Sequence, residues 1–376
     1  MSGSGTRTSL REAVRRAVEI LSDAGVPSPE FDALALAAFA LKTTPGEIQK
    51  QMVLGAPVPS GYPDLIAERA RRVPLQHLTG KAGFRNLILQ VGPGVFTPRF
   101  ETELTAGLAI THLTARSRQF ARPHPADLGS LPADPARSRQ FARVHPADLG
   151  GLPGESLGPS RLASGDPKNA GDPSDPRISS DATDPDSTAN KLPRSASEHR
   201  TNRLDRRVVV DLCTGSGAIA LAVKDEVPDV EVFGVELSDL AYAWAVRNRD
   251  DLGLDVDIRL GDATVAFPEL EAEVDVVVSN PPYIPVGAVP NDPEVRDHDP
   301  DVALYGGSPD GLRIPLQIAG RAAVLLRPGG LLVMEHADVQ GDSLPEALGV
   351  SGLWEDIEDH DDLNGRPRAV TAFRVG

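Results

Sequence analysis

Apolar residues return at every third or fourth position near the start of the chain. In SLREAVRRAVEILSDAGV (9–26), Leu10, Ala13, Val14, Ala17, Val18 and Leu21 share one helical face, and Gly25 is placed to end the helix. SPEFDALALAAFAL (28–41) predicts a second helix, with Ser28 as N-cap and Pro29 at its first position. Two or three further short helices are expected up to Arg72, so residues 1–75 read as a small helical domain with its own core. Over 76–99 the period changes. Gly80, Gly83, Gly92 and Gly94 punctuate short alternating stretches, which predicts a β-hairpin linker. His77 lies in it with no neighbour in sequence to orient it as a base, so a structural role is expected.

From Arg207 onward, valine-rich runs alternate with amphipathic segments. RVVVDLC, VEVFGVEL, VDIRLGD, VDVVVSN and LLVMEH read as strands, and LWEDIED and RAVTAFRV as two closing strands. Between them GAIALAVKDEV, SDLAYAWAVRNRDDLG (capped by Ser238) and LRIPLQIAGRAAVLL read as helices, the last stopped by Pro-Gly-Gly. This alternation predicts an α/β, Rossmann-like domain over 100–376, with a mostly parallel seven-stranded sheet covered on both faces. Ligands in such sheets bind beyond the carboxyl ends of the strands, where the strand order reverses.

Residues 113–206 interrupt that domain. They are crowded with Pro, Gly, Ser, Asp and Arg, and ARSRQFARPHPADLG (115–129) recurs almost unchanged as ARSRQFARVHPADLG (136–150). Two copies are too few for a solenoid, and the tract holds too little apolar surface to offset its ordering entropy. A disordered surface insertion is expected, with a tether for a partner as the alternative.

Charge narrows the partners. With 54 acidic and 38 basic residues the net charge is −16, which disfavours binding by phosphate neutralisation, so no direct nucleic-acid contact is expected. Cys213 is the single cysteine, so no internal disulfide can form and a reducing, cytoplasmic setting is expected. The longest apolar run, Ala33–Leu41, is about half a membrane span, so no membrane partner is expected.

The first candidate chemistry sits in VVVDLCTGSGAIAL (208–221). Asp211 through Gly217 form the turn from the first strand to its helix, where Gly215 and Gly217 let backbone approach a ligand closely. Glu236 ends the next strand, where a carboxylate can accept from two ribose hydroxyls. Gly215–Ala220 also satisfies a dinucleotide fingerprint, so a dehydrogenase competes at this point. Two features favour S-adenosylmethionine, a sulfonium without phosphates. Asp211 would oppose a pyrophosphate, and Gly261-Asp262 suits an adenine amine. Thr214, Gly215, Ser216, Gly217, Ala218, Ile219, Glu236, Asp262, Ala263 and Asn280, with Asp211, make the candidate donor site.

The second lies in VVVSNPPYIP (276–285). An amide or exocyclic amine is a poor nucleophile because its lone pair is delocalised. The Asn280 side-chain oxygen and the Pro281 carbonyl can each take one N–H of an incoming NH2 and turn that lone pair toward a methyl carbon. Pro281 and Pro282 stiffen the acceptors, and Tyr283 offers a flat face for a planar group. Asn280, Pro281 and Tyr283 are the candidate catalytic residues, and with Pro282 the candidate substrate contacts. No strong base is needed, since the leaving thioether is neutral. The carboxylates and His298 of NDPEVRDHDPD (291–301) read as a lid loop rather than a metal site.

Outside 113–206, the segments PLQHLTGKAGFRNL, VFTPRFETE, DLCTGSGAIAL, SNPPYIP, DPDVALYGGSPDGL and RPGGLLVMEH occur in an order that resembles the peptide chain release factor N5-glutamine methyltransferases. Asn-Pro-Pro-Tyr alone is shared with adenine-N6 methyltransferases; the helical domain, the hairpin and TPRFETE make the combination specific. The resemblance implies a class I methyltransferase domain behind a substrate-recognition domain. It also implies S-adenosyl-L-methionine as donor and the glutamine of the Gly-Gly-Gln loop of release factors as acceptor, gripped by Asn280 and Tyr283. A monomer is expected. Arg99 and Glu101 are expected at the mouth of the pocket. The departures are Cys213 in place of a turn glycine, Phe100 in place of proline, Ala263 where a larger residue can pack on adenine, and the insertion. A ribosomal-protein glutamine methyltransferase, an adenine-N6 nucleic-acid methyltransferase and a binding module without turnover remain alternatives.

Overall fold

Eleven helices and nine strands order the described residues, 9–120 and 207–376, of a computed structural model of the chain. The first five helices are α1 (Leu10–Asp23), α2 (Pro29–Leu41), α3 (Pro45–Val53), α4 (Tyr62–Ala70) and α5 (Leu75–Thr79). Leu10, Val14, Ala17 and Leu21 of α1 pack with Leu36, Ala37, Ile48, Tyr62 and Ile66 in one apolar cluster. Ser9 caps α1 reciprocally with Glu12. Ser28 occupies the cap position of α2 without a side-chain bond, and Pro29 starts that helix.

The hairpin is shorter than the 76–99 segment. Residues 75–79 are helical, β1 (Lys81–Phe84) pairs with β2 (Leu87–Gln90), and 91–99 is loop leading into the next helix. Arg85 and Gln90 pin the hairpin down: Arg85 N–H donates to Glu103, and Gln90 N–H donates to Asn248 Oδ1 at 2.7 Å.

Helix α6 spans Thr102–Phe120, so ordered structure continues past residue 113. Leu113 is 1% exposed and packs with Ala109 and Ile110 against the sheet. The Pro/Gly/Ser-rich average of the following ninety residues hid this last turn from a composition reading. The remainder of the 113–206 segment, including the second copy of the duplication, lies outside the described residues.

The strands β3 (Val208–Leu212), β4 (Glu231–Glu236), β5 (Val256–Leu260), β6 (Val274–Ser279), β7 (Leu326–Glu335), β8 (Trp354–Asp361) and β9 (Pro367–Arg374) form one sheet in the order β5-β4-β3-β6-β7-β9-β8. All neighbouring pairs are parallel except those that involve β9. Successive residues alternate between faces. Val209, Val276, Val278 and Val333 pack beneath α6 and α7 (Ala218–Glu226), while Val210, Leu212, Val277 and Leu332 pack beneath α10 (Arg313–Leu325) and α11 (Ser343–Val350). Helix α8 (Asp239–Leu252), capped by Ser238, covers β4 and β5, and the short α9 (Pro293–His298) follows the β6 loop.

Pro-Gly-Gly does not stop the helix as expected. It falls inside β7, where the register with β6 passes from Val274↔Leu326 to Val276↔Leu331 and Arg327–Gly330 form a bulge. A Cβ at Gly330 would meet the Arg327 carbonyl oxygen at 2.9 Å, so the bulge favours glycine there. Chain order reverses at β3, which puts the crevice at the carboxyl ends of β3, β4 and β6.

Candidate active site

A cavity of about 580 Å³ opens at that crevice, within the usual range for a small-ligand site. Its wall carries Thr214, Gly215, Ser216, Ala218, Ile219, Glu236, Asp262 and Ala263 at one end, and Asn280, Pro282 and Tyr283 at the other. Arg99 and Glu101 also line it. Three expected site residues stand back from the wall: Asp211, Gly217 and Pro281.

Asp211 is fully buried. Its Oδ2 accepts from the Thr214 hydroxyl at 2.6 Å and from Ala220 N–H at 3.1 Å, so it braces the turn. Burial pushes its carboxyl up to about 7. Gly217 has φ +84° and begins α7, a left-handed position that only glycine takes without strain, so its part is in shaping the turn. Pro281 is buried at the end of β6, where it fixes the path of the chain. Cys213 adopts φ +69° in the same turn, and burial raises its thiol well above the ordinary range.

Two strand ends meet through Glu236. Its Oε2 accepts from Gly215 N–H and its Oε1 from Ser238 N–H, each at 2.8 Å. Each carboxylate oxygen keeps a further lone pair, so the group remains a double acceptor on the cavity wall. Burial raises its pKa, against the pull of those backbone donors. Asn248, buried in α8, donates to the carbonyls of Gln90 and Ser216 and so ties the hairpin to the glycine turn. Sequence reading missed it; its signal was a lone asparagine on the apolar side of an amphipathic helix.

At the other end, Asn280 Nδ2 donates to Thr102 Oγ1 at 3.2 Å, which leaves its Oδ1 without that partner. The loop after Asn280 is held from several sides. Ile284 N–H donates to the Leu304 carbonyl, Gly306 N–H to the Ile284 carbonyl, and the Gln340 amide bridges the carbonyls of Tyr283 and Asp310. Gly311 passes so close that a Cβ there would collide with the Tyr283 carbonyl. The Tyr283 hydroxyl donates to Glu335 Oε1 at 3.4 Å, and burial raises its pKa. Glu335 and Arg368, both on the wall, were also missed. Glu335 ends β7 as Asn280 follows β6, so a carboxylate at a parallel strand's end was the available signal.

The acidic loop after the proline pair is engaged by arginines. Arg69 of α4 bonds Asp32 Oδ2 at 2.6 Å and Glu294 Oε1 at 2.7 Å; Arg72 bonds Glu294 at 2.9 Å and Asp292 at 3.1 Å; Arg99 bonds Asp299 at 2.6 Å. The helical region is thereby fastened to the loop that lines the cavity. His77 meets Thr97 Oγ1 at 3.3 Å and lies edge-on to His298, and burial lowers its pKa.

A seven-stranded sheet in this order, with a glycine turn and an Asn-Pro-Pro-Tyr loop on one cavity, defines a class I methyltransferase. A model described as "Methyltransferase small domain" matches residues 190–290, and one described as "PrmC N-terminal domain" matches 12–80. The chain is 39% identical over 367 residues to a release factor glutamine methyltransferase of Streptomyces coelicolor, covering 97% of this chain and 98% of the relative. It is 35% identical to one of Mycolicibacterium smegmatis, covering 98% and 99%. A 4-amino-L-phenylalanine/4-methylamino-L-phenylalanine methyltransferase of Streptomyces pristinaespiralis is 30% identical, covering 92% and 89%. The chain belongs to the release factor glutamine methyltransferase family. Among its described residues no helix is long and apolar enough to cross a membrane.

Proposed function

We propose that this protein transfers a methyl group from S-adenosyl-L-methionine to the side-chain amide nitrogen of the glutamine in the Gly-Gly-Gln loop of peptide chain release factors, in the cytoplasm. The observation that carries the reading is Asn280: its Nδ2 is tied to Thr102, so its Oδ1 is the acceptor offered to an incoming NH2. The donor end fits the proposed co-substrate. Glu236 retains two acceptor sites for ribose hydroxyls, Asp262 and Ala263 line the same wall, and the cations on the cavity, Arg99 and Arg368, are not at the glycine turn. Bound there, S-adenosyl-L-methionine supplies an electrophilic methyl carbon on a sulfonium.

The protein's own part is positioning. Asn280 Oδ1 takes one amide N–H and turns the nitrogen lone pair along the cavity, while Tyr283, clamped by the Gln340 bridge, offers its ring to the amide plane. Holding reactants aligned at about 3–3.5 Å can supply roughly 7–11 kcal/mol of a barrier. The helical region, fastened through Arg69 and Arg72 beside the cavity, offers a surface that a protein substrate could meet.

Incubation of the purified protein with labelled donor and a release factor, followed by peptide mass spectrometry, should place one methyl on the loop glutamine. Transfer to a ribosomal protein or to nucleic acid, with the release factor unmodified, would refute this assignment. Glu236→Gln sets an NH2 against a backbone N–H and removes an ionised acceptor. Hydrogen bonds to charged groups contribute about 1.5–3 kcal/mol, so donor affinity should fall roughly 10- to 100-fold by calorimetry. Unchanged affinity would remove Glu236 from the donor site.

A further inference from the structure

Phe100 stands in water between two residues of the cavity wall. Arg99 and Glu101 line the cavity, whereas Phe100 does not and is 85% exposed. Its backbone is nonetheless held. Thr102 N–H donates to the Arg99 carbonyl at 3.2 Å, and Glu103 N–H to the Phe100 carbonyl at 3.1 Å, at the start of α6. The ring buries little against its own chain, so core packing does not account for an aromatic here.

The charge beside it is already engaged. Arg99 bonds the buried Asp299 at 2.6 Å, and its guanidinium lies 5.1 Å from the centre of the Phe96 ring. Apolar side chains also emerge from the loop after Tyr283. Val302 lines the cavity and is 47% exposed; Val289, 68% exposed, precedes Pro290 of the wall. Exposed valines taken singly are ordinary on a protein surface. A large aromatic on a held backbone, beside the mouth of a reaction cavity, is different. Aromatic anchors dominate protein interfaces, and a pre-held anchor loses little freedom when a partner covers it.

We propose that Phe100 is an anchor for the protein that delivers the methyl acceptor: an apolar side chain flanking the acceptor glutamine packs on its ring, with Val289 and Val302 adding apolar surface at the same mouth. The anchor's role rests on the reading above that the acceptor sits in a protein loop. A side chain carried into this cavity by a larger chain brings that chain's flanking residues against the rim. There Phe100 offers apolar contact, while the neighbouring guanidinium is turned to Asp299.

The test is steady-state kinetics on release factor with donor calorimetry alongside. Burial of a phenylalanine side chain shifts an equilibrium by roughly 10- to 100-fold. Phe100→Ala should raise release-factor KM by about tenfold, with kcat and donor affinity within about twofold of wild type. Phe100→Leu, which keeps much of the apolar surface, should recover most of that loss. Val350→Ala, at the exposed end of α11, should leave KM unchanged and so controls for a general loss of surface apolarity. An apolar contact is not screened, so the KM ratio should persist in about 0.5 M salt. A wild-type KM in Phe100→Ala, or a ratio that vanishes in salt, would overturn the anchor while the substrate reading stands. A wild-type dimer that Phe100→Ala dissociates without a change in KM would give the rim to a second copy of this chain, and would also overturn it. If wild type methylates a ribosomal protein and not release factor, the substrate reading fails alone, and the same KM comparison on that protein decides the anchor. Transfer to nucleic acid only, or to none of these, would overturn both.

Discussion

Asn280→Ala should lower kcat by about 10²- to 10³-fold while donor affinity stays within about twofold of wild type. The asparagine offers its oxygen only to the reacting amide. On the protein side it touches Thr102, and the donor-end groups, Glu236 and the glycine turn, are held by bonds that do not pass through it. Truncation leaves the stiff Pro281-Pro282 turn and the Gln340 clamp on Tyr283 in place, so the amide can still enter. What it loses is the acceptor that fixes its nitrogen in line with the methyl carbon. A KM that rises modestly beside a large fall in kcat is the expected split, because the contact matters most once the lone pair is engaged. Single-turnover transfer measured beside calorimetric donor titration separates the two. A variant within threefold of the wild-type rate would mean that Asn280 does not align the acceptor, and the central reading of the site would go with it.

How far the sequence reaches depends on whether a feature is local. Helices α1 and α2 and the valine-rich strands were legible because period and caps lie within a few residues of one another. The glycine turn, Glu236 and Asn280 were legible because each stands at a strand's end, where a parallel sheet gathers its ligands. The bond from Asn280 to Thr102 was not, since the two are 178 residues apart and no pattern links a helix start to a distant strand end. The β7 bulge was misread for the opposite reason: Pro-Gly-Gly is a strong local helix stop, and here the register of β6 against β7 overrides it. Asp211 and Pro281 show the limit of position as a guide. Both lie on the expected turns and are buried, and Asp211 also braces its turn through Thr214 and Ala220, a part that position alone does not reveal.

Replacing Arg69 by Met should destabilise the protein by about 3–5 kcal/mol, because one partner of a buried ionic cluster is removed and the others are left. Arg69 is 3% exposed and Asp32 4%, and their 2.6 Å bond joins α4 to α2, while the second arm of the guanidinium reaches Glu294. Glu294 keeps Arg72; Asp32 has no second cation at bonding distance among the described residues. Burial already raises the Asp32 carboxyl above its ordinary 3.8 in spite of Arg69. Without that cation its folded-state pKa rises further. The unfolded chain still titrates near the ordinary value, so the folded variant binds protons that the unfolded chain releases, and stability falls as pH climbs through that interval. The deficit against wild type should therefore be greatest at neutral pH and shrink toward acid, as urea midpoints across pH would record. Replacing Asp32 by Leu together with Arg69→Met should recover much of the loss, since an apolar pair leaves no buried charge unanswered. A flat deficit across pH, or no recovery in the double variant, would show that Arg69 acts through packing alone. The same variant tests the link to function: with the Glu294 arm gone, release-factor KM should rise while donor affinity, set at Glu236, stays unchanged.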